Sequence, residues 1–68
     1  MSTWEWEVLR GKELVARGNA ENGEDARVFA DAASQEFQGA RRFAQEVKCD
    51  GTAEMWLRVL DGQWERYQ

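Results

Sequence analysis

The chain has 68 residues, 43% of them hydrophobic and 32% charged, with four Trp, three Phe, one Cys, no His and a formal net charge of −4. A chain this short buries only about 60% of the surface its unfolded form exposes, so it holds one domain with one small core, and its composition is that of a folding chain. A lone thiol without imidazoles excludes an internal disulfide and the usual structural zinc, and an acidic balance argues against a duplex-binding protein, whose affinity comes from clustered Lys and Arg.

No apolar run approaches the ~20 residues of a membrane span. Met1-Ser2-Thr3 leads into a strand-like segment with no charged leader, so the expected compartment is the cytoplasm. Trp4, Trp6 and Val8 alternate with Glu5, Glu7 and Leu9, the period of two of a half-buried strand, which predicts a first strand from Thr3 to Arg10. Gly11 supplies the positive φ of a reversal, and Glu13 to Ala20 returns as a second strand with Leu14, Ala16 and Gly18 on one face. A three-residue loop of Arg10, Gly11 and Lys12 would set Val8 opposite Leu14, Trp6 opposite Ala16 and Trp4 opposite Gly18, with Glu5 opposite Arg17 on the other side. A two-residue loop would pair Trp6 with Arg17 and mix both faces, so the pattern selects the longer loop.

Asn22 is placed to cap a helix, and Glu24 and Asp25 suit the positive end of its dipole. Ala26, Ala30, Ala33, Phe37, Ala40, Ala44 and Val47 then follow at alternating steps of four and three, widened by Phe29 and Phe43. That spacing makes one stripe and predicts one helix from about Gly23 to Val47, shallow enough to lie close against a sheet. Gly39 inside it costs about 1 kcal/mol relative to Ala. Such a helix would be ~37 Å long against ~26 Å for an eight-residue strand, so one end must overhang, bend or meet another chain. An alternative makes Asn22-Gly23 a turn, Asp25 to Asp31 a strand and Ser34 the cap of a shorter helix. The unbroken stripe favours the single helix.

Cys49-Asp50-Gly51 closes that helix, with Gly51 as its left-handed cap. Thr52 to Leu60 reads as a third strand and Gln63 to Tyr67 as a fourth, joined by an Asp61-Gly62 hairpin turn. That register sets Val59 opposite Trp64 and Leu57 opposite Arg66 on one face, with Arg58 opposite Glu65 and Trp56 opposite Tyr67 on the other. The expected fold is α+β, ββαββ: a single domain over residues 1–68, one long helix packed across one face of a four-stranded antiparallel sheet.

Catalysis finds little support. Hydroxyls occur only at Ser2, Thr3, Ser34, Thr52 and Tyr67, and Cys49 has no imidazole to activate it, so neither an enzyme nor a cofactor is expected. Glu5 with Glu7, and Asp50 with Asp61, read as solvated strand charges and turn residues. Gly23-Glu24-Asp25 opens a helix after a strand, but its acidic side chains would repel a phosphate.

The aromatic residues say more. Trp4, Trp6 and Trp64 fill a core beneath the alanine stripe, whereas Trp56, Tyr67, Leu60 and Leu9 fall on the face the helix leaves open, beside Arg58, Glu65 and Arg17. Those seven residues are the candidate partner-binding set, rich in the aromatics and Arg of which interface hot spots are made. The expected function is a non-catalytic protein-interaction module, homodimeric through that face or docking on a larger partner, as phage and mobile-element inhibitors or regulators do. A second reading takes Trp56, Tyr67, Arg58 and Arg17 as a stacking platform for single-stranded nucleic acid. Glu5, Glu7 and Glu65 on the same face oppose it.

Overall fold

Bulky β-formers alternating with charges do build the first hairpin: β1 (Thr3–Arg10) and β2 (Glu13–Ala20) have the bounds read from the sequence. The structure, a computed structural model, describes residues 3–48, 53–60 and 62–67. After the hairpin come α1 (Gly23–Ser34), β3 (Arg41–Val47), β4 (Met55–Arg58) and β5 (Glu65–Arg66). Among the described residues the fold is α+β in the order ββαβββ, with five strands arranged β2-β1-β3-β4-β5 and every neighbouring pair antiparallel. The class and the antiparallel sheet match expectation. The expected four strands in ββαββ order do not, because the second half of the expected helix is the central strand.

Helix α1 begins as its sequence dictates. The Asn22 side chain accepts from the Asp25 backbone N–H at 2.8 Å, with Glu24 and Asp25 in the first turn. Residues 25–31 are therefore helical, which sets aside the strand alternative. The helix stops after 12 residues instead of running to Val47. Beyond Ser34 the chain passes through turns in which the Phe37 N–H donates to Ser34 O and the Ala40 N–H to Phe37 O, and Gly39 adopts φ +74°. That left-handed step is open to glycine and reverses the chain into β3, so Gly39 is a turn residue and not a tolerated helix residue. Helix α1 is then roughly 18 Å long and fits within the sheet. The Cys49-Asp50-Gly51 cap lies outside the described residues.

The alanine stripe is buried, but half of it belongs to each partner. Ala26 and Ala30 on α1 are wholly enclosed, as is Ala44 on β3, and Ala40 just before β3 is nearly so. Ala26 clusters with Ala44 and Trp4, and Ala30 with Ala40 and Val8. Small residues on both sides bring the helix axis close to the sheet, while Trp4, Trp6, Trp56 and Trp64 fill the space around them. Trp6 lies across Gly18, where an added Cβ would come within 2.5 Å of the indole.

The first hairpin solves its register differently from expectation. Arg10 pairs with Glu13 around the two-residue turn Gly11-Lys12, and Leu9 pairs with Leu14. A bulge then leaves Val15 over, so that Val8 meets Ala16, Trp6 meets Gly18 and Trp4 meets Ala20. The extra residue does the work assigned to a longer loop: it keeps the indoles and the small residues on one face, and turns Val15 onto the Val8 cluster.

The C-terminal hairpin is shorter than expected and shifted by one. Trp56 pairs with Arg66 and Leu57 with Glu65, replacing the expected Trp56–Tyr67 and Leu57–Arg66 pairs. After Arg58 the strand ends and Leu60 takes φ +55°, with the Gly62 N–H donating to Val59 O at 3.0 Å. Asp61 of the expected turn lies outside the described residues.

Candidate protein-interaction face

Strand pairing decides which residues share a face, and one side of the sheet lies beneath α1. Ala44 pairs with Trp56, so Trp56 shares the covered side, packed on the Trp4–Ala26–Ala44 cluster. The Arg27 guanidinium lies 4.2 Å from the centroid of its ring, and its Nε1 donates to Glu54 Oε1 at 2.8 Å. Arg58 is on the same side, paired with Asp31 at 2.9 Å and donating through Nε to Gly62 O. The expected placement of Trp56 and Arg58 on the open face is thus reversed, because β4 takes its phase from β3. Without them the nucleic-acid stacking platform is not assembled.

The open side is built by the other set of residues. Leu14, Leu9 and Arg41 lie in one row across β2, β1 and β3; Arg17, Glu7, Phe43, Leu57 and Glu65 form the next; Glu5, Gln45 and Met55 the third. Leu9, Phe43, Met55 and Leu57 are each half-buried, Leu14 is 44% exposed, and no element of the described chain covers them. Glu5, Glu7, Leu9, Arg41, Phe43, Gln45 and Met55 enclose a shallow trough of about 270 Å³. The chain matches no family model, no curated protein and no solved structure. No helix among the described residues is long and apolar enough to cross a membrane.

Of the seven residues expected to bind a partner, Leu9, Arg17 and Glu65 do share this face. Tyr67 is 63% exposed, and its backbone N–H donates to Met55 O at 2.7 Å, which sets it beside the third row. Leu60 is apart from them, exposed beyond the end of β4 with its carbonyl accepting from Arg42 Nη2. Phe43, Met55 and Leu57 were missed. Their signal is alternation, Phe43 with Gln45 and Met55 with Leu57, visible only once β3 is read as a strand.

Electrostatics distinguish the ends of the face. Arg41 at the start of β3 is held by the β1–β2 turn, donating to Gly11 O at 3.1 Å with its guanidinium 5.9 Å from the Phe43 ring centroid. Glu5 and Glu7 are half-buried, and neither has an ion pair within 4 Å among the described residues. Among the described residues the Glu5 carboxylate accepts only a long hydrogen bond from Gln45 Nε2, at 3.3 Å.

A second concavity, about 560 Å³, opens between the end of α1 and the β3–β4 strands, lined by Asp31, Ser34, Phe37, Arg42, Arg58 and Leu60 among others. Its charged groups are engaged with one another, except that Arg42 Nε is buried with no hydrogen-bond partner among the described residues. Asp31 pairs with Arg42 and Arg58 and accepts from Trp64 Nε1 at 3.3 Å, while Ser34 Oγ donates back to Asp31 O. This cluster ties α1 to β3, β4 and the C-terminal segment.

Proposed function

We propose that this chain is a non-catalytic protein-interaction module, a small regulator that acts by docking its uncovered sheet face on another protein surface. The observation that carries this reading is the contiguous apolar group Leu9, Phe43, Met55 and Leu57 on a face no other layer of the described chain protects. An antiparallel sheet open to solvent ordinarily alternates apolar-in with polar-out, so a band of apolar side chains pointing outward marks a surface that something else covers.

The test compares two variants of similar chemistry on opposite layers. Leu57→Asp places a charge in the band, and Val28→Asp places one on the outer surface of α1, where Val28 is 57% exposed. Proteins from the native host retained by wild type and by Val28→Asp, and lost at least about tenfold with Leu57→Asp, are docked on this face; a tenfold loss corresponds to about 1.4 kcal/mol. Equal retention by all three, together with one monomeric mass in sedimentation, overturns the proposal.

A further inference from the structure

We infer that the segment docked on this face is cationic: an apolar side chain seated in the trough, flanked by two Lys or Arg that meet Glu5 and Glu7. This rests on the docking role of the open face and adds the chemistry of the occupant. Glu5 and Glu7 stand on the same side of β1, beside a floor of Leu9, Phe43 and Met55. Both carboxylates are half-buried without a cation of the described chain within ion-pair distance, although the register sets Arg17 opposite Glu7. Covering the floor desolvates them further, and that is unfavourable unless the cover brings the opposite charge.

A second copy centred on the trough does not bring it, although the same face carries Arg17 on β2 and Arg41 at the start of β3. Strands β1 and β4 flank β3, so a two-fold axis running along β3 would lay Glu7 over Leu57 and Glu5 over Met55 of the other copy. A two-fold axis across the strands would lay carboxylate over carboxylate. A nucleic-acid backbone would be repelled by the same two groups. A protein segment with Lys or Arg satisfies both carboxylates and leaves the floor for an apolar side chain. Residues two apart on one strand are separated by roughly 7 Å, which matches cations at i and i+2 of an extended partner or at i and i+4 of a helical one, roughly 6 Å apart.

The experiment uses two synthetic amphipathic peptides of the same length and leucine pattern, one with Lys at i and i+4 beside a central Leu, the other with Glu at those positions. The readout is the shift of the Leu9, Met55 and Leu57 methyl resonances of the full chain, at low and high salt. The expected result is saturable, salt-sensitive shifts with the Lys peptide, none with the Glu peptide, and about tenfold weaker binding with little salt dependence in Glu5→Gln/Glu7→Gln. Far-UV circular dichroism confirms that the double variant folds.

Equal binding of both peptides, or an unchanged affinity in the double variant, overturns the cationic occupant and leaves the docking role standing. Methyl shifts that depend on protein concentration without peptide identify a second copy as the occupant, which also overturns it. If neither peptide moves the methyl groups the inference fails, and the capture comparison with Leu57→Asp then decides the docking role separately.

Discussion

The two faces of the sheet are made from different vocabularies. Beneath α1 stand all four indoles, set against alanine and glycine: Trp4 against Ala26 and Ala44, Trp6 across Gly18, Trp56 and Trp64 at the edges of the same clusters. On the other side are Leu, Met and Phe of middling size, half-buried, interleaved with carboxylates and without a layer of the described chain over them. Large against small is how a thin core reaches close packing, because each ring fills the volume its neighbour gives up. Among the described residues the open face has no small residues arranged to receive its large ones, and the proposed docking role rests on that contrast.

Adding volume to the covered face is the strongest way to break that contrast. Ala44 is wholly enclosed between Trp4 and Ala26, so Ala44→Leu must push α1 off the sheet and should cost about 3 kcal/mol in urea unfolding. Val47→Leu adds a methylene at the end of the same strand but on the opposite face, where the side chain is 41% exposed, and should change stability by less than about 0.5 kcal/mol. Similar effects from the two would mean that the helix–sheet spacing is not set by the alanines.

Removing charge beneath the helix comes next. Asp31→Ala leaves Arg42, whose side chain is only 12% exposed, with no counter-charge and only its bond to Leu60 O among the described residues, and takes the carboxylate away from Arg58 and Trp64. Chemical denaturation should show a loss of about 2 kcal/mol, less than for a fully buried pair because Asp31 itself is 34% exposed. Adding Arg42→Met to that variant should recover part of the loss, since it removes the uncompensated charge and keeps the packing stem. A double variant weaker than Asp31→Ala would show that Arg42 contributes through contacts other than Asp31.

How much of this was legible follows from what each spacing can distinguish. The bounds of β1 and β2, the Asn22 cap and the burial of Ala26, Ala30, Ala40 and Ala44 were all readable, because alternation, capping and small-residue spacing are local. Which element held Ala40 and Ala44 was not, since a step of four returns a side chain to the same face of a helix and of a strand alike. Gly39 and the mismatch between a ~37 Å helix and ~26 Å strands carried the missing information. A left-handed glycine resolves both at once. The candidate face inherited the error: with β3 read as helix, Trp56 took its phase from the expected pairing with Tyr67 and not from Ala44, and a register change of one residue moves every side chain of a strand to the other side. Leu9 and Arg17 survived because their hairpin keeps its parity through the bulge at Val15.

A small effect is expected where the two faces separate most cleanly. Leu57 is half-buried beside Phe43 on the open side, and Leu57→Thr keeps a strand-forming, branched side chain while removing much of its apolar surface. Because no second layer of the described chain closes over this position, little apolar area returns to water and no enclosed cavity forms. The loss in unfolding free energy should therefore stay below about 1 kcal/mol, against the 2–5 kcal/mol that emptying a leucine site in a closed core costs. A loss at the upper end of that range would mean that Leu57 is already covered within its own chain, and the open face would then lack the exposed apolar centre on which docking depends.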